Sequence, residues 1–468
     1  MPEQYTTGIR ELDELLGGLQ PHTMLLIAGH PGAGKTTLAA HICYSNSLNG
    51  GKCLYITFYE DKEKLYRNMS AIGLDLRSIE EKGFLHFIKL PVASTDEILN
   101  AIMSLITRDQ YDVVVLDSLN PVLEMTQQQE ASRAILLNFF YQLTSLIKGV
   151  LVTVAEIPLG KSDLDLGAVE FVVDAIIYLK HRVEHGLLSR IMEVRKVRGA
   201  PLTVVEAPFL IIEGEGVKVY VPPKPARVLS GKERELKTTI ELITEMLGEL
   251  RKGDILHVSY PPHGRSPLVI APLIDLAVSN DARVLFVSFT YAPDELRELF
   301  ISICKNYFEL EPETTIRVLN KHFYLVSYNP AAYSLTHLNS LLVELIKDLN
   351  PDIVVLHGGE ELSTFARDPG EFWALFKNFL IWLKNSSKLV IVYSARVRSF
   401  CTKMTDSLSD AVARLHYRYV NGEPKFVFHI WMRGSNPRVF ELTEKDFDKY
   451  SHQARKLTDL VRLKTTSG

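Results

Sequence analysis

Gly29-His30-Pro31-Gly32-Ala33-Gly34-Lys35-Thr36 places spaced glycines, a lysine and a hydroxyl in the pattern GxxxxGK[ST]. Those residue types at that spacing are suited to holding phosphate. Glycines let a backbone loop turn its N–H groups inward around an anion, and a helix starting at once adds the positive end of its dipole. Lys35 has the reach for terminal phosphates, and the Thr36 hydroxyl, followed by Thr37, offers a hard oxygen to Mg²⁺. The partner of this loop is Val113-Val114-Val115-Leu116-Asp117-Ser118, an apolar run closed by a carboxylate. At the carboxyl end of a strand in an open α/β sheet, Asp117 stands where ligands bind and supplies a second anchor for the metal.

Two more carboxylates reach the same sheet edge. Glu60 follows the run Leu54 to Phe58 and is the expected group for orienting or deprotonating an attacking water, with Asp61 as its rival. Glu156 ends the run Val150 to Val154; it either polarises water or is a plain loop acid. Later, Arg195-Lys196-Val197-Arg198 sets Lys196 and Arg198 on one side of an extended strand. Two cations there can face a phosphoryl group, or simply decorate a solvated edge.

These groups need elements to carry them. Short β-branched runs without strict alternation, separated by helical patterns at Leu38 to Leu48, Asp96 to Ile106 and Ala131 to Leu146, predict a mostly parallel sheet covered on both faces. Ile176 to His181, Ser189 to Val194 and Val204 to Glu206 are closely spaced and turn-linked, and read as antiparallel additions at one edge. The pattern then recurs. Met24 to Ala28 matches Ile255 to Val258, and Lys52 to Phe58 matches Arg283 to Phe289. Asp112 to Leu116 matches Asp352 to Leu356, Asp174-Ala175 matches Asp410-Ala411, and Arg198-Gly199 matches Arg433-Gly434. Ordered matches at nearly constant offset mean an internal duplication.

Val221-Pro222-Pro223-Lys224-Pro225 separates the copies, because proline lacks the N–H that helices and ladders use. The expected organisation is a first domain at 1–222, a linker at 223–234, a second domain at 235–452 and a tail at 453–468. In the second copy the phosphate loop has become Ser259-Tyr260-Pro261-Pro262-His263-Gly264-Arg265-Ser266. Asp117 becomes His357, Glu60 becomes Tyr291, Glu156 becomes Ala395 and Lys196 becomes Trp431. Such losses predict a copy that packs or recognises and does not hydrolyse.

The 468 residues carry 52 Lys plus Arg against 56 Asp plus Glu, so no global charge favours a polyanion. Cys43, Cys53, Cys304 and Cys401 form no CxxC, which argues against a disulfide scaffold, a cysteine zinc site or an iron–sulfur cluster. The start Met1-Pro2-Glu3-Gln4 has no basic or apolar leader, and apolar runs are too short to span a bilayer, so a cytoplasmic protein without membrane contact is expected.

Thr7-Gly8-Ile9-x-x-Leu12-Asp13-x-Leu15-Leu16-Gly17-Gly18, the loop at 29–36, Tyr55 to Glu60, Leu116-Asp117-Ser118, Val173-Asp174-Ala175 and Lys196 to Gly199 together resemble the KaiC-like branch of the RecA-type ATPases. The resemblance implies two tandem RecA-like domains that use ATP and Mg²⁺ at clefts between subunits of a ring, hexameric by preference. It also implies that Lys196 and Arg198 reach the neighbour's γ-phosphate. The family's two consecutive carboxylates are here Tyr59-Glu60, so slow hydrolysis is expected. The implied function is a regulatory ATPase whose nucleotide state gates contacts with a protein partner. The alternative is a DNA-binding ATPase of the recombinase kind. It is disfavoured because the stretch Ile157 to Glu170, which would line the nucleic-acid channel, sets Lys161 against Asp163, Asp165 and Glu170. A clock-type autokinase, needing ATP in the second copy, is not expected.

Overall fold

Along strand β1 (Thr23–Gly29), Leu25 and Ile27 face one core while Met24, Leu26 and Ala28 face another, and all five are buried. This two-sided burial explains the near-continuous apolar runs in the sequence. The computed structural model describes residues 5–121, 130–157, 172–184, 187–199, 206–221, 235–261, 267–307, 309–364, 369–395, 400–420 and 423–442. The chain divides into two compact units, Met1–Pro222 and Pro223–Gly468.

The first unit begins with helix α1 (Arg10–Leu16), then β1, α2 (Lys35–Leu48), β2 (Cys53–Thr57), α3 (Lys62–Ala71), α4 (Leu76–Glu81), β3 (Leu85–Lys89) and α5 (Thr95–Arg108). It continues with β4 (Val113–Asp117), α6 (Glu130–Leu146), β5 (Val150–Glu156), β6 (Ala175–Glu184), β7 (Leu187–Val197), β8 (Glu206–Ile212) and β9 (Gly216–Val219). The sheet order is β3-β2-β4-β5-β1-β6-β7-β8-β9. Helix starts follow local chemistry: Ser94 and Glu97 form a capping box for α5, and Asp61 accepts from Lys64 N–H to cap α3.

Two expectations need correction. The strand at 175–184 pairs in parallel with β1, and antiparallel pairing starts only between β6 and β7. A tight hairpin fixes the direction of β7 against β6 but says nothing of how β6 meets β1. Cys43 in α2 and Cys53 at the start of β2 are joined as a disulfide, with Cα atoms 5.9 Å apart. Spacing alone concealed this pair, because the short α2–β2 connection turns the helix back onto the neighbouring strand.

The second unit holds a two-stranded pair, β10 (Glu235–Leu236) with β11 (Leu250–Arg251), and an eight-stranded sheet. The larger sheet comprises β12 (Ile255–Tyr260), β13 (Val284–Ser288), β14 (Phe323–Ser327), β15 (Ile353–His357), β16 (Leu389–Ala395), β17 (Ala411–Val420), β18 (Glu423–Met432) and β19 (Arg438–Leu442). Its order, β14-β13-β15-β16-β12-β17-β18-β19, repeats that of the first sheet up to β8, parallel through β17 and antiparallel beyond.

The duplication extends to single hydrogen bonds. Asp174 accepts from Met24 N–H at 3.0 Å and pairs with Arg198 at 2.9 Å; Asp410 accepts from Ile255 N–H at 3.0 Å and pairs with Arg433 at 3.3 Å. Asp112 accepts from Lys52 N–H as Asp352 does from Arg283 N–H. Both units are therefore RecA-like α/β layers with antiparallel edges.

Candidate nucleotide site

β1 ends at Gly29 and α2 begins at Lys35, so the loop between them sits at the carboxyl end of a central strand and the amino end of a helix. Gly32 and Gly34 have φ of 74° and 102°, left-handed values that glycine adopts without strain. His30 O accepts from Ala33 N–H at 3.2 Å, closing the turn around Pro31. The N–H groups of the first helical turn lack intrahelical acceptors and favour an anion.

Lys35 is only 7% exposed. Its Nζ donates to His30 O at 2.8 Å and lies 3.7 Å from Glu156 Oε1. Burial pulls its pKa below the usual lysine value, against the attraction of Glu156 and Asp117. Asp117, also 7% exposed, accepts from Tyr55 Oη at 2.8 Å and from the Thr36 hydroxyl. Burial pushes its pKa up; the Tyr55 and Thr36 hydrogen bonds and Lys35 oppose that, while the charge of Glu60 adds to it. Lys35, Thr36, Asp117 and Glu156 are thus brought to one place, with Glu60 near enough for its charge to act on Asp117.

Glu60 donates its N–H to Thr57 Oγ1 at 3.1 Å, whereas the Asp61 carboxylate is used in capping α3. Glu156 N–H donates to Asn120 Oδ1 at 2.7 Å and Asn120 Nδ2 to Glu156 O at 3.0 Å, locking the ends of β4 and β5 together. Lys196 and Arg198 lie apart from this group. Lys196 pairs with Ile176 and Arg198 with Asp174, at the start of β6, which aligns with the start of β1. They sit at the opposite end of the sheet from the loop of their own chain.

The Thr36 hydroxyl and the Asp117 carboxylate are two hard oxygens sharing a hydrogen bond. Such a donor set fits Mg²⁺, which takes one or two protein oxygens and completes its shell with phosphate and water. Among the described residues no cluster of three or more His, Cys, Asp or Glu could hold a metal ion. Tyr55 and Asn120 join the site through contacts between elements that leave no local motif in the sequence. A hydroxyl in a wholly buried strand was the available signal for Tyr55.

Sheet register identifies the equivalent positions in the second unit. Thr57 pairs with Asp117 as Ser288 pairs with His357, and Gly29 pairs with Glu156 as Tyr260 pairs with Ala395. Ile176 pairs with Lys196 as Val412 pairs with Trp431. His357 Nε2 lies 2.8 Å from Tyr260 Oη, and its Nδ1 lies 3.2 Å from Ser288 Oγ and 3.1 Å from Thr290 Oγ1. The Tyr291 ring stacks on it at 5.2 Å. Pro262, His263, Gly264, Arg265 and Ser266 lie outside the described residues, as do the linker at 223–234, the tail at 453–468 and most of the stretches Asn120 to Glu130 and Ile157 to Glu170.

Residues 5–224 match the ATPase family described as KaiC. The chain is thus similar to KaiC-type ATPases, and both of its tandem units have the RecA-like α/β fold. It is 24% identical over 407 residues to the circadian clock protein KaiC3 of Synechocystis, covering 82% of this chain and 77% of that one. It is 22% identical over 444 residues to the circadian clock oscillator protein KaiC of Synechococcus elongatus, covering 90% and 82%. It is also similar to the circadian clock protein KaiC2 of Synechocystis, 27% identical over 246 residues, covering 50% and 42%. The description as an ATPase belongs to the family matched over residues 5–224, within the first unit. Among the described residues no helix is long and apolar enough to cross a membrane.

Proposed function

We propose that the first unit binds and slowly hydrolyses ATP with Mg²⁺, that the second has no hydrolytic site, and that the nucleotide state of a homo-oligomeric ring, hexameric by preference, gates contact with a protein partner. The convergence of Lys35, Thr36, Asp117 and Glu156 beside the phosphate loop carries this reading. At the same register the second unit has a histidine hydrogen-bonded at both ring nitrogens and covered by a tyrosine.

The loop Gly29, His30, Pro31, Gly32, Ala33, Gly34, Lys35, Thr36 and Thr37 would hold the phosphates. Thr36 and Asp117 would hold Mg²⁺, which neutralises charge on the transferring phosphoryl group. Glu60 is suited to position water, because its charge already acts on Asp117 while Asp61 is engaged as a cap. Lys35→Ala should abolish Mg²⁺-dependent turnover of the full chain, and Arg265→Ala should leave it nearly intact. Turnover in the Lys35 variant above a mock purification would overturn the assignment. Capture of a partner by ATP-loaded protein, lost with ADP, tests the gating.

A further inference from the structure

Tyr55 lies in the middle of β2 with its side chain fully buried. It pairs across to Val115, two residues short of Asp117 on the adjacent strand, and alternate strand residues share a face. Its ring is stacked on Phe87 at 5.7 Å, and its hydroxyl meets Asp117 Oδ2 at 2.8 Å. A buried hydroxyl is costly unless it is hydrogen-bonded, and here it donates a hydrogen bond to a carboxylate.

The second unit shows what this position holds when the carboxylate is gone. Phe286 pairs with Val355 as Tyr55 pairs with Val115, and it is buried to the same degree. Its ring lies 5.7 Å from His357, which stands at the Asp117 position. The fold therefore accepts an unsubstituted ring at this point. Hydroxyl and carboxylate occur together in one copy and are absent together in the other.

We infer that Tyr55 is a positioning residue for the Mg²⁺ site of the first unit, holding Asp117 Oδ2 so that the carboxylate keeps one orientation toward Thr36 and the metal. This rests on the proposed role of Thr36 and Asp117. Groups that orient a metal's ligands typically contribute 10–100-fold to metal affinity.

The test is equilibrium binding of a fluorescent, non-hydrolysable ATP analogue to the full chain, titrated with Mg²⁺ and repeated in EDTA. Tyr55→Phe should bind the analogue in EDTA as the parent does. It should lose about tenfold of the Mg²⁺-dependent tightening and need about tenfold more Mg²⁺ for half-saturation. Asp117→Asn, measured alongside, should lose most of that tightening. A parental Mg²⁺ response in Tyr55→Phe, with Asp117→Asn impaired, overturns the role of Tyr55 alone. Equal weakening with Mg²⁺ and in EDTA also overturns it, since a structural defect acts in both. A parental response in Asp117→Asn overturns the metal site itself, and the inference with it.

Discussion

Glu60 and Asp61 are adjacent carboxylates with different work. Asp61 accepts from Lys64 N–H and starts α3, and Asn in its place can still accept. Glu60 stands at the carboxyl end of β2, where its charge acts on Asp117 and Tyr55. Glu60→Gln should lower kcat by roughly 10²–10⁴-fold with ATP binding retained, since loss of a general base acts on the transition state. Asp61→Asn should change kcat little. Steady-state turnover with parallel binding measurements decides, and the reverse pattern moves the role to Asp61. Lys35, Thr36 and Asp117 could be chosen from sequence because covalent spacing or a strand end places them. Tyr55 and the Cys43–Cys53 pair could not, because their contacts cross between elements and leave no local pattern.

At the scale of elements, the same sheet order built twice separates what folds from what reacts. The Asp–Arg pairs and the Asp–N–H bonds at strand starts occur in both units and serve the fold. The parallel sheet and its repetition were legible, because strands buried on both faces leave apolar runs that recur in order. The direction of β6 was not, since it depends on the crossover before it. One replaced contact has a measurable consequence. Where Asn120 both donates to and accepts from the Glu156 backbone, Glu360 accepts from Ala395 N–H at 2.5 Å, and its Oε2 is buried without a partner among the described residues. A carboxylate cannot donate as the amide does; a carboxylic acid can. Burial raises the Glu360 pKa to about 6, so its contribution to stability is complete below about pH 4.5 and is lost as pH rises through 6. Glu360→Gln should remove that part of the pH dependence and stabilise the second unit by about 2 kcal/mol at pH 7.5. Trp373, Trp382 and Trp431 all lie in the second unit, so tryptophan fluorescence during denaturation reads that unit alone. Equal denaturation midpoints for parent and variant at pH 7.5 would refute the assignment.

For the whole molecule, the question is how Lys196 and Arg198 could meet a phosphate. Within one chain they lie at the start of β6, level with the start of β1, while the loop leaves the far end of β1. The four residue steps from Leu25 to Gly29 amount to about 13 Å. A cis role is therefore out of reach, so the role proposed for the two cations is toward the loop of a neighbouring subunit in the proposed ring. The two cations are not equivalent. Arg198 keeps a pairing that the second unit reproduces as Asp410 with Arg433, whereas the Lys196 position there is Trp431. Arg198→Ala thus removes a fold contact together with any catalytic one, and Lys196→Ala is the cleaner variant. Cations supplied to a phosphoryl-transfer site are worth as much as 10³–10⁵ in kcat. Each variant alone should be nearly inactive, and specific activity of the parent should fall on dilution below the assembly constant. Mixing settles the matter. A Lys196→Ala subunit keeps a sound loop, and a Lys35→Ala subunit keeps sound cations, so some mixed interfaces join an intact loop to an intact lysine and turnover should return. The Arg198→Ala subunit should be rescued in the same way, while Lys196→Ala mixed with Arg198→Ala should regain nothing, because every interface still lacks one cation. If subunits demonstrably exchange and the Lys35→Ala mixtures stay inactive at every ratio, the trans role fails. A fully active monomer would dispose of it more directly, since no neighbour would then be needed.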